Sequence, residues 1–374
     1  MQTKYNMVKQ AIKSKILDGT FRPNQKIHSE NELMKQFGVS RHTTRKAIGE
    51  LVHEGWLYRS QGSGTFCAER KLEETHHPSA SKRIAIITTY ISDYIFPTII
   101  RGAESYFSEN GYQVSVFSTN NDVEKEKYFL ETILAQQFDG MIIEPTKSAY
   151  ASPNINYFFN FERLNIPYIM INAVYDELDP ISLVLDDEKG GFIQAEYLIN
   201  LGHKDIIGFF KTDDLQGGKR LKGYVKAHRQ YGIPLNPKNI ITYTTEEKKE
   251  KPRKELTKLL SNPSERPTAL ISYNDQLALT LLDVLREHGV QVPEEMSLIG
   301  YDDSFLAQAS EVKLTTIQHP QHKMGQKAAW MIDQLIQQRH SPVQTSQQIE
   351  SFMYEPRLVI RNSVRGRIST EKID

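Results

Sequence analysis

The chain has 374 residues, and 46 Lys and Arg balance 46 Asp and Glu, so its formal net charge is zero. That length suits two or three domains with a sizeable core. A single cysteine excludes a disulfide framework and a cysteine-based zinc site. No apolar run approaches the roughly 20 residues of a membrane span, and the first residues lack a signal-peptide core. We therefore expect a cytoplasmic protein that does not enter a membrane.

The charge is unevenly spread along the chain. Residues 1–67 contain eleven Lys or Arg and five Asp or Glu, a balance of +6, which leaves −6 for the remaining residues. Such asymmetry indicates a basic nucleic-acid module joined to a second unit. The alternative is a solvated basic face without a partner.

The first residues are predicted to form three short helices. Residues 4–17 place apolar side chains at helical spacing, and Pro23 follows the end of that helix. Ser29 and Glu32 have the spacing of a capping box at the start of the second helix. Ser40 is placed to cap the third helix after a short glycine-containing turn. This arrangement predicts a helix-turn-helix.

The third helix has a polar face near its N-terminal end. Arg41, His42 and Arg45 lie there, opposite an apolar face that includes Thr44. A recognition helix presents this end to base edges in the major groove, and the arginine fork fits guanine O6 and N7. The alternative is an ordinary solvated helix surface.

Residues 56–67 are predicted to form a β-hairpin after the third helix. Their glycines permit a tight turn and a close approach of the backbone to DNA. A hairpin that merely covers the helices is the alternative. Together, the helices and hairpin predict an α+β winged helix-turn-helix.

Residues 27–33, 37–47 and 62–66 resemble the GntR family of bacterial regulators, and the resemblance covers about residues 3–68. It implies binding to double-stranded operator DNA. Glu30 is expected either to accept a hydrogen bond from cytosine or to act only as a helix N-terminal charge. The predicted DNA-binding residues are Lys4, Glu30, Arg41, His42, Thr44, Arg45, Gln61 and Gly62.

The remaining chain is predicted to be an α/β domain. Residues 1–68 form the DNA-binding domain, residues 69–81 form a linker without apolar periodicity, and residues 82–374 form the second domain. Apolar strands alternating with helices predict parallel sheets covered on both faces, and the length suggests two lobes. The predicted strands are 83–89, 113–118, 140–144, 166–172, 181–185, 205–210, 239–243, 268–273 and 297–301.

Motifs for catalysis and for resident cofactors are missing. Gly217-Gly218-Lys219 lacks the upstream glycine and the Ser or Thr of a phosphate loop, and no GxSxG elbow occurs. His319 and His322 have an intervening proline and no nearby acidic partner. We expect no enzyme activity, cofactor or metal.

Polar residues instead follow several predicted strands. Ligands of open α/β sheets bind outside the carboxyl ends of the strands. Carboxylates, amides and an arginine among aromatic rings suit a small polyhydroxylated ligand, because they exchange hydrogen bonds with hydroxyl groups while rings cover C–H faces. For Asp275 and Asp303, the alternative is a helix N-cap after the strand.

Residues 139–143, 220–224, 274–279 and 299–303 resemble the effector domain of the LacI/GalR family, and the resemblance covers about residues 82–364. It implies the two-lobed fold of periplasmic sugar-binding proteins. Asn172 stands where family members often have aspartate, and Glu144 is a local candidate to supply the missing charged acceptor. The predicted ligand-binding residues are Tyr94, Phe96, Glu144, Asn172, Gln216, Arg220, Asn274, Asp302 and His319.

A GntR-type reader joined to a LacI-type sensor, with residues 88–97 and 144–148, resembles arabinose-responsive repressors of Gram-positive bacteria. That resemblance implies L-arabinose as effector, a homodimer and release from DNA when sugar binds; the residues alone indicate a pentose or hexose. The rivals are a sugar-transport protein, a sugar kinase and an activator. The linker shows no obvious hinge helix.

Overall fold

The computed structural model describes residues 3–69, 82–92, 94–136, 138–262, 266–340 and 348–367. The predicted linker beyond Glu69 lies outside these residues, and so does the prediction about a hinge helix. In the described part of the chain, no helix is long and apolar enough to cross a membrane. Nor do three or more His, Cys, Asp or Glu side chains there converge as metal ligands.

The first domain consists of three helices and a hairpin. Its elements are α1 (Lys4–Leu17), α2 (Glu30–Phe37), α3 (Arg41–His53), β1 (Leu57–Ser60) and β2 (Gly64–Cys67). The predicted capping box is present, because Ser29 and Glu32 bond reciprocally to each other's backbone N–H groups. Ser40 caps α3 by accepting from Thr43 N–H. Strands β1 and β2 pair antiparallel. We call this unit, residues 4–67, the reading domain.

The second domain contains two six-stranded sheets. Its strands are β3 (Lys82–Thr88), β4 (Tyr112–Ser118), β5 (Gly140–Ile143), β6 (Tyr168–Ile171), β7 (Ser182–Leu185), β8 (Ile206–Lys211), β9 (Ile240–Tyr243), β10 (Ala269–Ile271), β11 (Ser297–Asp302), β12 (Thr315–Gln318), β13 (Phe352–Tyr354) and β14 (Arg357–Val359). One sheet has the order β13-β7-β6-β5-β3-β4, and we call it and its helices the N-lobe. The other has the order β14-β12-β11-β10-β8-β9 and belongs to the C-lobe.

Helices cover the two sheets. They are α4 (Phe96–Glu109), α5 (Val123–Gln136), α6 (Ile155–Arg163), α7 (Asp187–Asn200), α8 (Leu215–Gln230), α9 (Lys251–Leu260), α10 (Asp275–Glu287), α11 (Phe305–Ala309) and α12 (Gln321–His340), with short 3₁₀ helices at Asp176–Leu178 and Pro237–Asn239. The chain passes between the lobes after β7, after β12 and after β13. Three crossings at one edge form the hinge region of a two-lobed domain.

All nine predicted strands are present within a few residues of their predicted ends. Their neighbours in each sheet run parallel, as predicted, except that β14 pairs antiparallel with β12. The sequence pattern did not identify β12, β13 and β14. Each of these strands has only three or four residues. Strand β12 is mostly buried but begins with two threonines, and β13 and β14 contain only exposed and half-buried residues, so none shows the buried apolar run that identified the others.

Candidate functional site

A cavity of about 450 Å³ lies between the two lobes, at the carboxyl ends of the strands. Small-ligand sites commonly have volumes of about 300–1,000 Å³. The rings of Tyr90, Phe96, Tyr243 and Tyr273 contribute to its lining together with charged and amide side chains. The cavity therefore has both apolar surfaces and hydrogen-bonding groups for a small polar molecule.

All nine residues that the sequence predicts as ligand contacts line this one cavity: Tyr94, Phe96, Glu144, Asn172, Gln216, Arg220, Asn274, Asp302 and His319. They come from both lobes and from the hinge region. Their contact with a sugar remains a prediction, but the topology does bring them together.

Arg220 is the centre of a buried charge cluster. Its Nε donates to Asp187 Oδ1 at 2.8 Å, its Nη1 donates to the Tyr273 carbonyl at 2.6 Å, and its Nη2 lies 3.6 Å from Asp302 Oδ1. The guanidinium carbon stands 3.5 Å from the Tyr301 ring centroid. Although burial alone would lower the pKa of Arg220, Asp187 and the other surrounding groups raise it well above its ordinary value. The cluster therefore fixes a permanently charged donor in the cavity wall.

Asp302 faces Arg220 from the end of β11 and joins the lobes through Tyr94. The Tyr94 hydroxyl lies 2.6 Å from Asp302 Oδ2 and accepts from the Asp275 N–H at 3.0 Å. Burial raises the pKa of Asp302 to about 6, while Arg220 opposes the rise. Tyr94 has a left-handed backbone, with φ at 68°. A residue of the N-lobe thus reaches the C-lobe carboxylate that lines the cavity.

A chain of hydrogen bonds runs from Glu144 to His319. Glu144 accepts from Thr89 N–H at 2.9 Å and from Asn172 Nδ2 at 2.9 Å. Asn172 Oδ1 lies 3.0 Å from His319 Nε2. Because the Asn172 nitrogen donates to Glu144, its oxygen must accept, and His319 Nε2 carries the proton. His319 Nδ1 is then an acceptor, and it is buried with no hydrogen-bond partner among the described residues.

The residues that follow β10 and β11 include the N-caps of α10 and α11. Asn274 Oδ1 caps α10 by accepting from Leu277 N–H at 2.9 Å, which leaves its amide nitrogen as a donor. The proposed N-cap roles of Asp275 and Asp303 are wrong, because Asn274 and Ser304 occupy those positions. Asp275 instead accepts from Thr316 and Ser304 in the C-lobe core, while Asp303 pairs with Arg361. In each run of short polar residues only one residue occupies the N-cap position: the first in Asn274-Asp275 and the last in Asp302-Asp303-Ser304.

Several lining residues were not predicted. They include Asn121, Asp187, Lys211, Asp214, Tyr243 and Tyr273. Lys211 ends β8, and its ammonium pairs with Asp214 at 3.0 Å and with Asp213 at 3.3 Å. Asp187 follows β7. The rule that polar residues after parallel strands line the ligand site would have found both positions, had it been applied to every strand.

The two lobes meet along the rim of the cavity. Lys147 Nζ lies 2.7 Å from Glu246 Oε1, and Asn121 Nδ2 donates to Thr245 Oγ1 at 2.6 Å. Ser148 Oγ accepts from the Leu215 N–H at 3.0 Å. Each contact joins an N-lobe loop to the C-lobe, so the structure represents an arrangement in which the lobes are in contact.

The reading domain presents an exposed charge cluster of two arginines and one glutamate. Glu30 at the start of α2 accepts from Arg45 Nε at 2.9 Å and from Arg41 Nε at 3.3 Å. The two arginine side chains remain 58% and 61% exposed. Partial burial would raise the pKa of Glu30, but the hydrogen bonds from Arg45 and Arg41 lower it below its ordinary value. Glu30 thus orients both guanidinium groups while leaving them accessible.

Four other predicted DNA contacts are exposed: Lys4, His42, Gln61 and Gly62. Gly62 has φ at 76° in the turn between β1 and β2. Thr44 differs from the prediction, because its side chain is fully buried and its hydroxyl donates to the Ser40 carbonyl at 3.3 Å. The apolar face of α3 packs on the domain core and takes Thr44 with it, so this side chain is not presented to a duplex.

Family models match two separate parts of the chain. Residues 4–67 match the bacterial regulatory proteins of the gntR family, and residues 195–364 match the periplasmic binding protein-like domain. An arabinose metabolism transcriptional repressor of Halalkalibacterium halodurans is 60% identical over 97% of both chains. One from Geobacillus stearothermophilus is 48% identical over 97% of this chain and 98% of its own.

Solved structures resemble the second domain. A LacI family transcriptional regulator from Enterococcus faecium with bound ribose is 25% identical to this chain and superimposes with a TM-score of 0.64. The match covers 77% of this chain and all of that one. The fold that holds the cavity is therefore one in which a related regulator binds a pentose.

Proposed function

The chain belongs to the family of arabinose metabolism transcriptional repressors, and from that premise we propose that its cleft binds L-arabinose and thereby releases operator DNA. The relatives are transcriptional repressors rather than enzymes. On this proposal the reading domain holds the operator when the cleft is empty. No cofactor takes part, and the sugar is the effector.

The observation that carries the proposal is the unpartnered acceptor in the cavity wall. His319 Nδ1 is buried and has no partner among the described residues. The imidazole is neutral, because burial and Arg220 lower the pKa of His319 to about 3. Gln216 Oε1 is likewise buried without a partner in the same cavity. Each would accept a hydrogen bond from a hydroxyl group. A ligand with several hydroxyl groups satisfies both acceptors, whereas a molecule without hydrogen-bond donors satisfies neither.

The charged residues supply the complementary contacts. Asp302 would accept hydrogen bonds from hydroxyl groups, while Arg220 would donate to hydroxyl or ring oxygens. Asp187 holds Arg220 in place, and Tyr94 holds Asp302. The rings of Phe96, Tyr243 and Tyr273 are available to cover the C–H faces of the sugar. Because the lining residues come from both lobes, a bound sugar stabilises the arrangement in which the lobes touch.

The proposal extends to the assembly on DNA. We expect a cytoplasmic homodimer on a pseudo-palindromic operator, with one reading helix and one wing for each half-site. Arg41 and Arg45 contact bases or adjacent phosphates, Gln61 and Gly62 enter the minor groove, and Lys4 contacts the backbone. His42 lies exposed beside Arg41 and belongs to the same surface.

Operator binding across an L-arabinose titration tests this function. A labelled operator duplex is titrated with the full chain at fixed salt, because salt alone changes affinity for DNA. Coupling of about 1–3 kcal/mol predicts about 5- to 150-fold weaker operator binding at saturating sugar. D-Ribose, D-xylose and D-glucose serve as comparison sugars. Unchanged operator affinity at saturating L-arabinose would refute the proposal.

A further inference from the structure

Outside the cleft, the reading domain contacts the N-lobe through α1 and α6. Asn160 Nδ2 donates to the Leu17 carbonyl at 2.5 Å, and Ser14 Oγ lies 3.2 Å from Tyr157 Oη. Tyr157 donates its own proton to Glu131 at 2.8 Å, so the serine is the donor in the second contact. Two specific hydrogen bonds therefore join the DNA-reading unit to the sensor.

The contact supplies a hydrogen-bond donor to a backbone carbonyl at the end of α1. Leu17 is the last residue of this helix, and a carbonyl there has no partner within the helix itself. Asn160, 6% exposed, provides the missing donor. At Gly19, where φ is 78°, an added Cβ would lie 3.3 Å from Asn160 Nδ2, so a residue without a side chain suits this close approach. One continuous cluster of buried apolar side chains includes members of both α1 and α6.

Buried hydrogen bonds connect this surface with the rim of the cleft. Glu126, fully buried in α5, accepts from Thr146 N–H at 3.0 Å, from Tyr175 Oη at 2.8 Å and from Asn154 Nδ2 at 3.0 Å. Asn154 immediately precedes α6, while Thr146 belongs to the loop after β5. One buried carboxylate thus ties that loop to the start of the helix that carries Asn160.

The same loop also reaches the cleft. It begins with Glu144, which lines the cavity, and continues to Ser148, which accepts from the Leu215 N–H of the C-lobe. A change in the position of the C-lobe acts directly on this loop. The Glu126 network then passes the displacement to α6, because a buried carboxylate cannot lose its donors cheaply.

We propose that the surface of α6 formed by Tyr157 and Asn160 is the docking site for α1 of the reading domain, and that this contact transmits the sugar state of the cleft to the DNA-reading unit. The inference rests on the proposed function. When the lobes close on sugar, the docked arrangement holds the reading domain in an orientation that does not match the operator. Without the contact, the reading domain binds DNA with little regard to the sugar.

Asn160→Ala tests the contact, and Asn156→Ala is its matched control, since Asn156 is exposed on the same helix. Operator Kd is measured at zero and saturating L-arabinose by fluorescence anisotropy, and sugar Kd is measured without DNA by calorimetry. We expect the ratio of the two operator Kd values to fall about threefold or more in Asn160→Ala. It should remain at the wild-type value in Asn156→Ala, with sugar Kd within about twofold in both, since neither side chain lines the cavity.

A second variant and a second measurement protect the test against misfolding. Tyr157→Phe keeps the ring but removes the hydroxyl that accepts from Ser14, and we expect it to lower the same ratio. Amide hydrogen exchange of residues 10–21 in sugar-bound protein should increase in both variants. A wild-type ratio in both, despite faster exchange, would overturn the inference, and so would unchanged exchange. If the wild-type protein itself shows no sugar response, the proposed function fails instead.

Discussion

Arg45 and Arg220 each pair with carboxylates, but the first ion pair is exposed to solvent and the second is buried. Arg45 in the reading domain is 58% exposed beside Glu30, while Arg220 in the cleft is 5% exposed between Asp187 and Asp302. The pKa of Glu30 is lowered, whereas burial raises the pKa of Asp302 to about 6. An ion pair in solvent is therefore weak, whereas an ion pair buried in the cavity wall is held in place.

The difference suits two kinds of recognition. An exposed ion pair contributes about 0–1 kcal/mol, so Arg45 exchanges Glu30 for a base or phosphate at little cost. A buried pair costs much more to break, so we expect Arg220 to keep the same geometry with and without ligand. On the proposed function, DNA reading would use arginines that change partners, and sugar recognition would use one that does not.

The largest effect is expected at the buried arginine. Arg220→Ala leaves Asp187 and Asp302 as uncompensated buried carboxylates, which should reduce the free energy of unfolding by about 3–5 kcal/mol. Operator DNA should no longer be released by L-arabinose. Urea denaturation measures the first effect, and operator Kd with and without L-arabinose measures the second. Arg286→Ala, which breaks exposed pairs with Asp283 and Glu311, is the control and should cost less than about 1 kcal/mol. Equal costs for both variants would contradict the comparison.

Arg45→Ala should act only on DNA. Loss of one bidentate contact with a base predicts about 1–3 kcal/mol weaker operator binding, with little change for non-operator DNA. Because Arg45 is exposed, unfolding by urea and sugar Kd should stay at wild-type values. Arg45→Lys keeps the charge without the fork and serves as the partner variant. A parallel loss of sugar affinity would show that the reading and sensing units are not separated as described.

Acid should destabilise the protein through His319. Burial, and then Arg220, lower the pKa of His319 from 6.5 to about 3, so between those values the unfolded chain binds more protons than the folded one. Stability is therefore lost as pH falls through this window, by about 2 kcal/mol between pH 7 and pH 5 from this residue. Urea denaturation of wild type and His319→Gln at both pH values isolates the effect. A fall of the same size in the variant would assign the loss to other groups.

Glu30→Gln should have the smallest effect. Removing the charge releases Arg41 and Arg45 and should change the free energy of unfolding by less than about 1 kcal/mol. The ratio of operator to non-operator affinity should fall by about fivefold, since non-operator DNA gains a less acidic surface and the operator loses oriented arginines. Anisotropy titrations with both duplexes measure this ratio. An unchanged ratio would leave Glu30 as a helix N-terminal charge alone.

Periodicity and capping chemistry were sufficient to predict the reading domain and nine strands of the second domain. Part of the cleft followed from a simple rule, because the carboxyl ends of parallel strands share one edge, and this rule identified Glu144, Asn172, Asn274 and Asp302. The other predicted ligand contacts came from the resemblance to the LacI/GalR family: Tyr94, Phe96, Gln216, Arg220 and His319. What the sequence did not reveal is pairing across long separations, such as Arg220 with Asp187 or Tyr94 with Asp302. These pairs depend on how often the chain crosses between lobes, and short edge strands give no local signal of that.

Thr44 and Asp275 show a second limit. Each has a residue type typical of contact with a ligand or of a helix cap, but each is turned into the core and satisfied there. Thr44 lies on the apolar face of α3, and Asp275 loses the cap position to Asn274. A polar residue type therefore indicates hydrogen bonding, while the helix face decides whether the partner is inside the protein or outside it.

The central claim is that one coupling free energy links the cleft to the reading domain. It is tested most directly by calorimetric titration of L-arabinose into the full chain, alone and saturated with operator DNA. Linkage requires that operator weakens sugar binding by the same factor by which sugar weakens operator binding. We expect the two factors to be equal, at about 5- to 150-fold. An identical sugar Kd with and without operator would contradict it.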